Sequence, residues 1–204
     1  VLAGTDIAVL TSIFEPDCQV VCWQRNAPEG LGEAIETAVV ANMLRSGFRV
    51  VVGTGEVESA LPLAVQTFAP LAGDIAFLVE LYADLLGCAK VGLRLEYLHS
   101  AMCPRFHVDR TGVRMLCTYR GPGTEWLDST AAERSRLGVA AGASDEVSGL
   151  IRDPVGVGRA GRFEVVLLKG SLWQGNGQRG AIHRSPAVAP GEAPRITLAL
   201  DAIW

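Results

Sequence analysis

Apolar positions recur along this chain with two periods, and the period changes near Lys90. Before it, Leu31, Ile35, Val39 and Met43 stand four apart and Gly47 follows, so residues 31–47 predict a helix. Residues 56–68 and 74–86 repeat the pattern, and the second stacks Leu78, Leu81, Tyr82 and Leu85 ahead of Gly87. Residues 18–23 predict a strand, and residues 49–52 a short strand or turn. Beyond Lys90, residues 91–98 alternate apolar and polar side chains as a half-buried strand does. Residues 105–109, 114–119, 123–127, 163–169, 182–184 and 196–202 continue as short strands parted by Gly and Pro. The stretch 128–162 is polar and Gly-rich, and a connection of that length is expected to be a lid or substrate loop. Residues 174–180 form a turn in which Asn176 and Gln178 are expected near an entrance.

Helices followed by a run of short strands predict an α+β fold, with a helical N-terminal half packed on a double-stranded β-helix (jelly-roll) core. At 204 residues one domain is expected over 1–204, mainly helical in 1–89 and a β-barrel in 90–204, with a long loop at 128–162. Hydrophobic residues at 49% and charged ones at 20% exclude a disordered chain. A net charge of −4 with scattered basic residues argues against nucleic-acid binding. No apolar run reaches the ~18 residues of a membrane span. The first fourteen residues carry Asp6 and no basic start, and are expected to begin the folded domain rather than form a signal peptide. Five cysteines in no compact framework predict reduced thiols and a cytoplasmic location.

The chemistry concentrates between Cys103 and Trp126. His107 and Asp109 stand two apart in a strand-like segment, where i and i+2 share a face. His183, in Ala-Ile-His-Arg-Ser-Pro, is the distant third group. Two imidazoles and a carboxylate form the facial triad of non-haem Fe(II) oxygenases. The bland alternative is a surface His-x-Asp turn and a hydrogen-bonded core His183. On a regular strand Cys103 would stand ~13 Å from His107, which makes it a neighbouring thiol unless Pro104 breaks the strand and lets it join a zinc ion. Arg105 and Arg114 are expected to orient Asp109 or meet an anion, because a guanidinium grips a carboxylate bidentately. Gly121-Pro122-Gly123 predicts a tight turn. Glu125 after it is a candidate partner for a ligating imidazole, and Trp126 a wall of the pocket or plain core. No phosphate loop, dinucleotide fingerprint or serine elbow is present.

Cys-Pro-Arg-Phe-His-Val-Asp, Thr-Tyr-Arg-Gly-Pro-Gly-Thr-Glu-Trp, Leu-Leu-Lys-Gly and His-Arg-Ser-Pro resemble the bacterial domain-of-unknown-function family 1826, from Val20 to Asp201. That resemblance implies zinc homeostasis as a setting, with a functional link to zinc-handling GTPases. The order His-x-Asp, insert, Gly turn and distal His is also similar to Fe(II)/2-oxoglutarate oxygenases. This implies that Arg195, twelve positions after His183, pairs with the far carboxylate of 2-oxoglutarate, with Thr197 as a further donor. The leading expectation is therefore a metal-binding jelly-roll protein acting on a small or unidentified substrate as a 2-oxoglutarate-dependent oxygenase. The alternatives are a non-catalytic zinc-binding protein using the same ligands and a metal-free partner-binding module.

Overall fold

The long helix of the chain, α4 in the order below, and the seven-stranded sheet it covers are built from the strongest periodicities in the sequence. The computed structural model describes residues 1–138, 144–177, 179–189, 191–192 and 194–204. In chain order the elements are β1 (Leu2–Gly4), a 3-10 helix (Ile7–Phe14), β2 (Val20–Trp23), α1 (Leu31–Val40) and β3 (Phe48–Gly53). Then follow α2 (Val57–Ala60), α3 (Leu63–Gln66), α4 (Ala69–Leu86), β4 (Lys90–Leu98), β5 (Val113–Arg120) and β6 (Glu125–Leu127). The chain ends with β7 (Val157–Arg159), β8 (Val165–Lys169), β9 (Ile182–Arg184) and β10 (Arg195–Ile203). One sheet runs in the order β1-β2-β8-β5-β10-β4-β3, and a second in the order β7-β6-β9. All pairings are antiparallel except β1 with β2.

Strand alternation gives the large sheet two unlike faces. Val91, Leu93 and Leu95 of β4, Met115 and Cys117 of β5, and Ile196, Leu198 and Leu200 of β10 pack on Leu71, Ile75, Leu78 and Tyr82 of α4. This is the main core. Tyr82 ties helix to sheet: its hydroxyl donates to the Val113 carbonyl at 2.6 Å and accepts from the Ala202 amide at 2.9 Å. On the other face, Val20, Cys22, Val166 and Leu168 meet Ala160, Ala181 and Trp126 of the small sheet's side.

The N-terminal half supplies helices and also three strands, at both edges of the large sheet, so it is not a separate helical part. Helix α4 begins at Ala69 rather than residue 74, with Pro70 in its first turn, and three further departures from the periodic pattern each have a local reason. Helix α1 ends at Val40 because Asn42 turns left-handed (φ 56°), with Asn42 N–H donating to Val39 and Met43 N–H to Ala38 in a Schellman closure. Pro62 splits residues 56–68 into α2 and α3, and Leu61 before it is extended at ψ 151°. The stretch 128–162 is not a bare loop. It holds single 3-10 turns, a bridge between Ala132 and Ile151, and β7; its residues 139–143, and Gln178 of the later turn, lie outside the described residues. No helix is long and apolar enough to cross a membrane among the described residues. The cysteines described are all free, and no disulfide forms among them.

Gly121 takes φ +80° and Gly123 lies against the Ala160 carbonyl, where an added Cβ would collide with backbone. Gly123→Ala is therefore expected to push β6 off the segment leading into β8 and to lower the melting temperature; an unchanged midpoint would mean that this approach relaxes freely.

Candidate metal centre

Residues 105–109 do not form a strand. Only His107 pairs, in an isolated bridge in which His107 and His183 exchange both backbone hydrogen bonds at 2.9 Å. That bridge, rather than strand alternation, brings the two imidazoles together, with ring centroids 4.4 Å apart. Each ring is fixed the same way. Nδ1 of His107 lies 2.9 Å from the Arg105 carbonyl, and Nδ1 of His183 lies 3.1 Å from the Ala181 carbonyl. A carbonyl can only accept, so both Nδ1 atoms carry hydrogen and both Nε2 atoms point the other way, donating to a carboxylate when the ring is protonated and offering a lone pair to a metal when it is neutral. They point at Asp109: its Oδ1 is 3.4 Å from His107 Nε2 and its Oδ2 is 3.4 Å from His183 Nε2. One donor atom from each of the three residues falls within 4.8 Å of the others. Two neutral imidazole nitrogens and a carboxylate suit a divalent first-row metal.

Electrostatics hold the carboxylate ionised. Burial alone would raise the Asp109 carboxyl, but the hydrogen bonds from His107 and His183 and the nearby Arg114 guanidinium bring it far below the ordinary range. The same Asp109 contact draws His107 above its ordinary value. Arg114 donates to Asp109 Oδ2 and grips Asp201 with Nε at 2.8 Å and Nη2 at 2.9 Å. Arg114 thus contacts Asp109, as one of the two expectations for it required. Arg105 contributes its carbonyl; its guanidinium goes to Asp145 at 2.8 Å, not to Asp109.

The triad opens into a cavity of about 150 Å³ that reaches Arg195 and Thr197. Its floor is the second face of the large sheet, with Leu116 of β5 and Thr197 and Ala199 of β10. The β10–β5 register slips beside Arg195, where Tyr119 is the extra residue and turns into the main core. Arg195 is buried, donating to the Pro122 carbonyl at 2.8 Å and to the Thr118 and Thr124 hydroxyls at 3.2 Å. No carboxylate pairs with it among the described residues, and burial lowers its pKa to about 10. Thr197 Oγ1 donates to the Cys117 carbonyl at 3.2 Å. Cys103 lies at the rim, exposed and outside the converging set.

Two expected neighbours are elsewhere. Glu125 touches no imidazole; it takes Arg159 and, at 2.7 Å, Arg184. Trp126 is not a pocket wall, because its side chain packs against Gly158 in the second core. Three residues the sequence reading passed over complete the site: Thr124 under Arg195, Asp201 behind Arg114, and Asp145, which accepts from the Phe106 amide at 2.6 Å. The i, i+2 spacing of Arg195, Thr197, Ala199 and Asp201 on one strand was the available signal for Asp201.

Arg184, clamped by Glu125 and Glu146, anchors the strand that carries His183. Burial works against the Glu125 charge, yet its hydrogen bonds to Arg159 and Arg184 keep its pKa below the ordinary 4.5; Arg184 draws Glu146 down to about 2. A depressed folded pKa contributes stability present above the unfolded value and lost as pH falls through the folded one. Unfolding midpoints measured from pH 5 down to 2 are expected to fall less steeply in Glu125→Gln than in the unaltered chain.

A family described as "Protein of unknown function (DUF1826)" matches residues 4–201. The chain belongs to that family. No curated relative matches this DUF1826 member in sequence. Among solved structures, it is similar to a full-length Neurospora crassa protein in complex with alpha-KG and 5-formyluracil, with 11% identity and a TM-score of 0.51, covering 96% of this chain and 77% of that one. A Pseudomonas putida prolyl-4-hydroxylase matches at 11% identity, covering 97% and 98% of the two chains, with a TM-score of 0.49. HygX from Streptomyces hygroscopicus, with nickel and 2-oxoglutarate bound, matches at 12% identity over 96% and 85%, with a TM-score of 0.49. The first of these likenesses bears on the fold alone.

Proposed function

We propose that this protein is a jelly-roll oxygenase that uses Fe(II) and 2-oxoglutarate, with His107, Asp109 and His183 as metal ligands. The observation that carries the reading is one cavity holding both a pre-oriented His-Asp-His set and Arg195, a buried cation with no carboxylate partner among the described residues. A buried cation without a counterion is costly to maintain. A dicarboxylate that chelates the metal at one end and meets Arg195 at the other would offset that cost.

Loaded with Fe(II), such a site would couple oxidation of a substrate C–H bond to oxidative decarboxylation of 2-oxoglutarate to succinate and CO₂, one atom of dioxygen ending in succinate and the other in the hydroxylated substrate. The chain's own residues prepare it. The Arg105 and Ala181 carbonyls hold both imidazoles with Nε2 presented. Arg114 aims the Asp109 carboxylate. Arg195 receives the distant carboxylate between Thr118 and Thr124, with the Thr197 hydroxyl alongside, while Leu116 and Ala199 give an apolar floor that excludes water.

Anaerobic titration with Fe(II) and 2-oxoglutarate tests this, read as the visible metal-to-ligand charge-transfer band. A saturable band, lost in His107→Ala, is the expected result. Tight zinc binding with no 2-oxoglutarate binding would replace the reading with a zinc-handling one. Arg195→Ala is expected to leave metal affinity unchanged and to remove 2-oxoglutarate binding. Arg195→Lys should restore it only weakly, because an ammonium keeps the charge but not the planar fork. Unchanged cosubstrate affinity in Arg195→Ala would sink the assignment.

A further inference from the structure

Strand register arranges the cavity face in rows. Arg94 of β4, Ala199 of β10 and Leu116 of β5 form one row; Gly92, Asp201 and Arg114 form the next. Arg94 therefore borders the floor beneath the triad. It lines the 150 Å³ cavity and also an open groove of about 400 Å³ with Arg49, Val50, Val51, Gly92 and Asp201. It is the side chain that joins the two spaces.

Apart from Arg195, which the cosubstrate would meet, the charges on this face are matched with one exception. Glu96 takes Arg49 at 2.9 Å. Arg105, Arg159 and Arg184 face Asp145, Glu125 and Glu146. Asp201 is already held by the Arg114 fork, and Arg94 reaches it through a single 3.2 Å contact. Arg94 has no other carboxylate partner among the described residues. A divalent cation and a dianionic 2-oxoglutarate cancel each other. Two carboxylates, Asp109 and Asp201, then stand against three guanidinium groups, Arg94, Arg114 and Arg195. One positive charge is left over, and Arg94 is the group with donors to spare.

We propose that the substrate oxidised at this site is a small carboxylic acid, its carboxylate held by Arg94 and its carbon chain lying over Leu116 and Ala199 toward the triad. The assignment rests on the oxygenase reading. A carboxylate fits the fork bidentately and supplies the single negative charge required, whereas a phosphate monoester brings nearly two. The cavity and groove together suit a small molecule, since ligand pockets span roughly 300–1,000 Å³.

The test uses the full chain, anaerobic, with Fe(II) and 2-oxoglutarate, after the charge-transfer band has been recorded. Hexanoate, benzoate and 3-phenylpropionate are each titrated beside their amides, and binding is read by ligand-observed saturation-transfer NMR. Acids are expected to bind about tenfold or more tightly than amides, a charge-assisted pair being worth ~1.5 kcal/mol or more. Arg94→Gln should abolish that preference with the band unchanged, and Arg94→Lys should keep part of it. Equal binding of acids and amides, no binding of either, or a preference that survives Arg94→Gln overturns the proposal. Loss of the band in Arg94→Gln also overturns it, by placing Arg94 in the cosubstrate's seat. Absence of the band in the unaltered chain removes the oxygenase reading instead, before any acid is added.

Discussion

Asp109→Ala is expected to cost more metal affinity than the roughly 10–100-fold that outer partners of a metal site contribute, while the protein stays folded. The two imidazoles do not depend on Asp109 for position, because each is held by a backbone carbonyl and by their shared bridge. Removing the carboxylate therefore deletes a proposed ligand without dispersing the other two. Arg114 is not orphaned either, since Asp201 holds it in two hydrogen bonds. With Asp201 keeping Arg114 paired, the loss of stability is expected to stay below the roughly 3–5 kcal/mol that breaking a buried pair costs. Competition against a fluorescent chelator measures the affinity, and thermal unfolding of the metal-free chain measures the fold. Metal affinity equal to that of the unaltered chain would remove Asp109 from the ligand set.

Arg114→Leu separates geometry from ligation at the same place. It leaves Asp109 in the set but takes away the guanidinium that aims it and that neutralises Asp201. Metal affinity is expected to drop less than in Asp109→Ala and stability to drop more, as seen by the same two measurements. A reversed order would mean that Arg114 serves only the sheet.

How much of this was legible in the sequence depends on whether the cause is local. Helix α4 from Asp74 on, its stop at Gly87, and strands β4, β5 and β10 follow from side-chain period and so could be read directly, whereas the first turn of α4 at Ala69 could not. The three candidate ligands and Arg195 were singled out from composition and order, and one cavity brings them together. The reason given for His107 and Asp109 was not the right one. They converge through a bridge to a segment far along the chain, and long-range pairing leaves no period behind. Glu125 shows the same limit. Its position two residues past a Gly-Pro-Gly turn suggested an imidazole partner, but Arg159 and Arg184 from β7 and β9 claim it. Helix α1 fell short of Gly47 because one left-handed Asn42 outweighs an apolar pattern that continues past it.

Asp74→Asn is expected to destabilise the fold by about 3–5 kcal/mol and leave the metal centre as it is, because the two lie on opposite faces of one sheet. Asp74, on α4, takes Arg25 in two hydrogen bonds of 2.7 and 2.8 Å and the Tyr119 hydroxyl at 2.8 Å. Both charged side chains are almost wholly buried, at 6% and 3% exposure. Arg25 also donates from Nε to the Phe163 carbonyl at 2.7 Å, at a residue whose own φ is +67°. This node joins the end of β2, the helix, β5 and the approach to β8. An amide in place of the carboxylate leaves the guanidinium charged, buried and uncompensated. Out of the 5–15 kcal/mol typical of a folded domain that is a large share, worth about 6–20 °C in melting temperature. Replacing both partners, Arg25→Leu with Asp74→Leu, should recover part of the loss, since the uncompensated charge is then gone. Urea unfolding of the two single variants and the double variant measures the coupling. Metal titration of Asp74→Asn under conditions where it remains folded should match the unaltered chain. A weaker metal site there would mean that the two faces of the sheet are energetically joined, and that the helical face helps to hold the triad.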